Sequence, residues 1–317
     1  MLDKIQNFPL VSIVTPTYNQ AEYLAETIES VLAQDYPNIE YIVLDDGSTD
    51  GTPEILKRYD GRIRHERHEN IGQAGTLNKG WAMARGTYIG YLSSDDLLYP
   101  SAVRKLVDRI DRDSFIVCTF PDADLINSHS LVIKKNVCQH FDLVEIVVRQ
   151  SCYIGPGALF RKSAFEVIGG WRPELTLAPD REFWIRLAAE GRFAMYDEVL
   201  AGYRMHPRSL SYKIVSEEAS CEYLLVLDKY FCAESIPPAI AERKAEAYGY
   251  AYLLIARNCF RAGHLKRGIE LYSKACLLHP KLRSVWVKLR ILRNVVSRPI
   301  RMGISTFVFY TKHWWQV

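Results

Sequence analysis

The sequence predicts an α/β protein, a mainly parallel sheet with helices on both faces, continued by a C-terminal α-helical extension. Three observations carry this. Apolar runs of strand length alternate with stretches of helical spacing from Leu10 to Ser94. Three polar clusters, TYN, DDGSTD and SSDD, each follow one of the apolar runs. In a parallel sheet they all fall at the carboxyl ends of the strands, where ligands bind. From Glu217 onward the strand-length runs give way to helical spacing.

The elements follow in order. LVSIVTPTYN reads as a buried strand that breaks into a loop at Pro16, and Asn19 offers a cap for the helix AEYLAETIESVLAQ, whose Leu24, Ile28, Val31 and Leu32 share a face. IEYIVLDD is a second buried strand ending in the turn GSTDGT. Thr52 to Tyr59 is a short helix, IRHERHE a third and more polar strand, Gln73 to Ala84 a helix, and TYIGYLSS a fourth strand. Beyond it, Ala102 to Ile110 reads as a helix and SFIVCTFPDADLI as a strand with a polar exit. Ala158 to Arg161 is a short strand, Asp180 to Gly191 a helix stopped by its glycine, and FAMYDEVLAGYRMH a last strand. In the extension, Tyr252, Ile255, Ala256, Gly268, Tyr272, Ala275 and Pro280 fall on the spacing of a tetratricopeptide repeat. Trp286 stands where a following repeat would place its aromatic residue. An ordinary helical hairpin fits the same pattern.

The chain has 317 residues with 48% hydrophobic composition, enough for two domains, expected over 1–215 and 216–317. A net charge of +3 provides no field for a polyanion, so nucleic acid is not an expected partner. The seven cysteines show no paired metal or redox spacing and no signal sequence precedes them, which predicts reduced thiols and a cytoplasmic location. No apolar run reaches the roughly 20 residues of a membrane span. From Lys281 to Lys312 the charged residues are all Lys or Arg. Over 298–317 these mix with Phe307, Phe309, Tyr310, Trp314 and Trp315, a composition suited to peripheral contact with the cytoplasmic face of a membrane or to packing back on the protein.

Taken singly, each polar cluster has a plain reading beside a chemical one. Asp45 and Asp46 end a strand before Gly47; they could cap a turn, or accept a hydrogen bond from a ligand imide such as uracil N3–H. Asp95 could cap the next helix, or Asp96, alone or with Asp95, could supply carboxylate oxygens to a hard divalent ion that neutralises a diphosphate. Asp180 could be an N-cap, a contribution of about 1 kcal/mol, or a general base.

Four stretches together resemble glycosyltransferase family 2, whose members are mostly inverting, use nucleotide-sugars and have the GT-A fold. They are VSIVTPTYNQAEYLAETIESVLAQDYPNIEYIVLDDGSTDGT, GTLNKGWAMARGTYIGYLSSDD, GGWRPELTLAPDREFWIRLAAEG and YRMHPRSLS, covering about residues 8 to 212. The resemblance implies a Rossmann-like, nucleotide-diphospho-sugar transferase sheet. It implies that Pro16, Thr17 and Tyr18 form the first nucleotide-contacting loop and that Asp46, beside Asp45, binds the base. Asn78 and Lys79 would face the nucleotide-sugar, and Ser94 and Asp95 would lie near the ribose or sugar. Asp96 would hold Mg²⁺ or Mn²⁺, with His206 and Ser209 near the diphosphate and His206 in reach of the metal. Asp180 would be the catalytic base. Two departures stand out: Ser93 occupies a position that is acidic in many members, and Pro179 replaces the glutamate that usually precedes the base.

The implied activity is inverting transfer of a sugar, UDP being the expected nucleotide, to a saccharide or lipid-linked hydroxyl acceptor in cell-envelope or exopolysaccharide synthesis. Two other readings compete. A nucleotidyltransferase would carry a Gly-rich, basic phosphate loop at the first strand, which TPTYNQ is not. A catalytically inert nucleotide-sugar-binding scaffold, with the helical extension binding a partner protein, would not need Asp46, Asp96 and Asp180.

Overall fold

The computed structural model describes residues 8–209 and 213–293, so the tail segment 298–317 lies outside the described residues. The chain runs β1 (Val11–Thr17), α1 (Leu24–Leu32), β2 (Ile39–Asp45), α2 (Thr52–Lys57), β3 (Arg64–Arg67), α3 (Gly72–Met83), β4 (Tyr88–Tyr91), β5 (Leu97–Leu98), α4 (Ala102–Asp111), β6 (Ile116–Ile126) and β7 (Val132–Lys134). It continues through α5 (Leu143–Val147), β8 (Leu159–Arg161), α6 (Lys162–Ile168), α7 (Pro179–Leu187) and β9 (Arg192–Arg204). Helices α8 (Glu217–Ser220), α9 (Glu222–Phe231), α10 (Pro238–Ala241), α11 (Lys244–Arg261) and α12 (Leu265–Leu278) follow.

All the strands join one sheet of order β3-β2-β1-β4-β8-β6-β9-β5, with β7 paired to β6. The block β3-β2-β1-β4 is parallel throughout. Every residue of β1 is buried, as a parallel strand covered on both faces requires. One cover is α1, which turns Leu24, Thr27, Ile28 and Val31 inward. The other is α3, which approaches β1 so closely that a Cβ on Gly80 would lie 2.3 Å from a Val14 methyl. Strand β8 then enters antiparallel between β4 and β6, while β6 and β9 pair parallel over their length. The strands expected from the sequence are present. The two-residue β5, the three-residue β7 and the antiparallel entry of β8 are additions, set by long-range pairing that local spacing does not encode.

Two expected caps belong elsewhere. Helix α1 begins after Tyr23, and Asn19 stands at φ +53° with its side chain turned to the DDGST loop. Helix α4 begins after Ser101, so Asp95 caps nothing there.

The described residues divide into two compact units: 8–141, 153–174 and 186–205 in one, and 142–152, 175–185 and 206–293 in the other. The division differs from a single boundary at 215. The reason is visible at Glu222, whose carboxylate accepts from Thr176 N and Oγ1 (both 2.8 Å), Leu177 N (2.7 Å) and Ala178 N (3.2 Å). Those bonds bind residues 176–178 to the start of α9. In the same unit α11 and α12 form the expected hairpin. Gly268 is required there, since a Cβ would lie 2.4 Å from the Phe260 ring. Among the described residues no helix is long and apolar enough to cross a membrane.

Candidate active site

In the first unit the carboxyl ends of β1, β2 and β4 lie on one edge of the sheet because all three strands are parallel. Thr17 pairs with Asp45, and Asp46 N donates to Thr17 O at 2.9 Å. Asp45 turns inward: its Oδ1 accepts from Ser48 N at 2.9 Å and its side chain is fully buried, so it organises the turn. Gly47 makes that turn at φ +78°, with Asn70 N only 3.0 Å from where a Cβ would stand. Asn19 locks the first loop to the second, donating its N–H to Ser48 Oγ (2.9 Å) and accepting from Thr49 N (2.8 Å).

Asp46 keeps one oxygen on Ile71 N at 2.7 Å, and the other takes no hydrogen bond among the described residues. In the same unit three buried polar atoms, on β1, just after β3 and on α3, take no hydrogen bond among the described residues, Thr17 Oγ1, His68 Nε2 and Thr76 Oγ1, while Asp45 Oδ2 has only the Arg67 guanidinium at 3.4 Å. Buried polar groups are nearly always satisfied, so unsatisfied ones mark a place for a polar ligand. Pro16 lies within β1, and Tyr18 just beyond it is 48% exposed, an aromatic face next to Thr17 in sequence.

The SSDD turn hangs from α1. The Thr27 hydroxyl reaches both Ser94 O (3.0 Å) and Asp96 O (2.9 Å). Asp96 Oδ1 accepts from Arg204 N at 2.8 Å. The Arg204 side chain is buried: Nε donates to Asp95 O (2.6 Å), one terminal nitrogen to Ser130 Oγ (2.8 Å), and the other to Glu26 Oε2 (2.7 Å). Burial, then the neighbouring Asp95 charge, raises the Asp96 carboxyl well above the usual aspartate range, against the Arg204 N–H and charge. Two adjacent carboxylates form the donor set of a cation site. It fits a hard divalent ion that takes one or two protein oxygens and fills its other positions with water or phosphate. Among the described residues no three His, Cys, Asp or Glu side chains form a closed metal cage.

Asn78 and Lys79 have protein partners. The Asn78 amide donates to Trp171 O (2.7 Å) and accepts from Trp171 N (2.8 Å), clasping the GGW loop. Lys79 pairs with Glu66 at 2.6 Å.

Asp180 and His206 belong to the second unit. Helix α7 starts at Pro179, a residue suited to the first helical position, so Asp180 stands in the first turn and is not the N-cap. Burial raises its carboxyl above the ordinary range; the Arg181 charge and the N–H groups of Arg181 and Asp180 oppose this. His206 is buried, with Ser209 Oγ donating to its carbonyl at 2.7 Å and Ser209 N at 3.0 Å.

Sequence reasoning overlooked Thr27 and Arg204. Thr27 gave a signal, a polar residue on the apolar face of α1. Arg204 gave none, because its partners lie 74 or more positions away in sequence.

Residues 12–169 match the model of glycosyl transferase family 2. An uncharacterized glycosyltransferase of Rickettsia typhi is 33% identical over 62% of this chain and 64% of its own. Chondroitin synthase of Escherichia coli is 27% identical over 66% of this chain and 31% of its own. The chain therefore spans less than two thirds of the length of either relative. The structure of S. aureus TarS 1-349 in complex with UDP-GlcNAc has a TM-score of 0.67 at 19% identity, covering 93% of this chain and 92% of that one. At that identity the likeness concerns the fold alone, the GT-A fold. Through residues 12–169, this chain belongs to glycosyl transferase family 2.

Proposed function

We propose that the protein is an inverting glycosyltransferase that moves a sugar from a nucleotide-diphosphate sugar, a UDP-sugar, to an acceptor hydroxyl during polysaccharide synthesis. The observation that carries this is the set of unpartnered polar atoms in the unit that holds Asp46. The free Asp46 oxygen suits an imide N–H of the base, and Thr17 Oγ1, His68 Nε2 and Thr76 Oγ1 suit hydroxyls of a nucleotide-sugar. The polymer-forming relative supports the choice of acceptor class.

In this reading Asp180 takes the proton from the acceptor hydroxyl. The acceptor oxygen forms a bond to the anomeric carbon as the bond from that carbon to the phosphate oxygen breaks. The nucleoside diphosphate leaves with the bonding pair, and the sugar passes through an oxocarbenium-like state to the inverted anomer. Asp96 would hold Mg²⁺ or Mn²⁺, which when bound neutralises charge on the departing diphosphate. Thr27 and Arg204 keep the Asp96 turn in place. The Asn78 clasp on Trp171 makes this residue a support of the site.

We also place the protein at the cytoplasmic face of a membrane. Ahead of the basic aromatic tail, residues 285–293 are helical and expose Val285, Trp286, Leu289 and Leu292, while Val287 packs against Ala275, Cys276 and Leu282. An outward apolar stripe among basic residues suits an anionic lipid surface.

The test of the activity is hydrolysis of UDP-sugars without acceptor, with Mn²⁺ and with EDTA. Metal-dependent release of UDP is the expected result. UDP binding without any release, across a panel of UDP-sugars and candidate acceptors, would favour the inert scaffold.

A further inference from the structure

The second unit contains two arginines that form no ion pair among the described residues. Arg181 follows Asp180 on α7. Its guanidinium stacks 4.8 Å over the Tyr223 ring and donates to Gln150 Oε1 at 3.0 Å, while its Nε is buried without a partner. Arg257 on α11 also has a buried, unpartnered Nε, and it makes no hydrogen bond or ion pair among the described residues. Tyr223 links the two, since Arg181 lies over its ring and its oxygen acts on Arg257. Burial holds Arg257 below its usual range, the Tyr223 oxygen opposes this, and the Arg181 charge adds to it.

The described residues around them do not supply an anion for both. Gln150 offers Arg181 a neutral amide, and does so from a left-handed backbone conformation, φ +58°, that is unfavourable for glutamine. Its Nε2 is tied to Val147 O at 2.6 Å, which fixes which way the amide points. The carboxylate of Glu222 is saturated by its four bonds to residues 176–178. Asp180 is the carboxylate that feels Arg181, burial biases it toward the neutral form, and no carboxylate among the described residues pairs with Arg257. Leaving a buried cation unpaired is costly, and arginine cannot shed its charge as a lysine can. A planar guanidinium pair is the arrangement that recognises carboxylate or phosphate oxygens.

We infer that Arg181 and Arg257 form an oxyanion subsite next to Asp180, and that the acceptor carries a carboxylate or phosphate group near the hydroxyl that is glycosylated. The assignment to the acceptor rests on Asp180 being the base, as proposed above. The presence of the anion subsite does not.

The test uses the full chain, wild type and with Arg257→Gln or Arg257→Lys, titrated at constant ionic strength with inorganic phosphate, glucuronate, glucose and UDP. Wild type is expected to bind phosphate and glucuronate and to ignore glucose. Arg257→Gln should weaken both anions by about tenfold or more, and Arg257→Lys by less, since the charge remains without the planar fork. Arg181→Gln, which leaves α11 intact, should repeat the loss. UDP affinity should be the same in all the proteins. Phosphate and glucuronate bound equally by wild type and both Gln variants, or by none, overturns the subsite. UDP affinity that falls together with phosphate affinity gives the arginines to the donor diphosphate and overturns the acceptor assignment. Failure of donor hydrolysis in the wild type would count against glycosyl transfer, while the anion titrations would still decide the subsite.

Discussion

Burial raises the carboxyls of both Asp96 and Asp180, but their settings differ. Asp96 sits beside a second carboxylate, whereas Asp180 sits beside the Arg181 cation. A base must be ionised to accept a proton. With its proton affinity raised, Asp180 loses the ionised form at a higher pH than an ordinary aspartate, so activity should rise as pH climbs through that higher value. The acid limb of the kcat/KM profile is therefore expected above the usual aspartate range. A limb within that range would assign the base elsewhere. Asp180→Asn should lower kcat by about 10²- to 10⁴-fold while UDP binding is kept; retained turnover would remove the residue from its role. The sequence placed these carboxylates correctly at a strand end and a helix start. Spacing alone did not tell Asp45 from Asp46, a distinction that came from the family resemblance; the folded turn gives it a physical basis, the first facing inward and the second keeping an oxygen free.

Among the elements, the helix α3 and the loop before α7 depend on one side chain. Asn78 satisfies both backbone groups of Trp171, and a Cβ on Gly170 would stand 2.1 Å from its Oδ1. Asn78→Ala should destabilise the protein by about 1–3 kcal/mol, read as a lower denaturant midpoint at unchanged slope. Asn78→Asp can still accept from Trp171 N but cannot donate to Trp171 O, and should fall between. An unchanged midpoint in the alanine variant would mean that water replaces the clasp. The family resemblance pointed to this asparagine as facing the nucleotide-sugar; the clasp was not legible in the sequence because its partner lies 93 positions away. The alternation of strands and helices was legible, since each element carries its own period. The β8 insertion was not, because three residues carry no period and their place is chosen by neighbours on both sides.

At the scale of the whole molecule, the chain carries a family 2 domain and a helical hairpin followed by a basic stretch. Flotation with anionic liposomes tests the membrane proposal. The full chain should rise with the vesicles, a chain ending at Arg298 should do so less, and neutral vesicles should capture neither. If both proteins stay in solution, the exposed face of residues 285–293 has another purpose. The fold class was readable because it emerges from many weak local signals that agree. The compact units were not, because they are drawn by bonds such as those of Glu222, which join segments some 45 positions apart.

The bonds around Arg204 also bear on the order in which the molecule can be built. Its N–H reaches back 108 positions to Asp96, and its guanidinium 178 positions to Glu26. During synthesis the SSDD turn is made long before β9 leaves the ribosome. Until then Asp96 lacks its N–H partner, and Glu26 lacks its buried cation. Loops of that span close slowly and are rewarded only when complete. A nascent chain released before Arg204 would therefore present the sheet without a finished site. The nucleotide-sugar binding proposed for it should appear as a late, abrupt event in the life of the polypeptide, well after its parallel strands have paired.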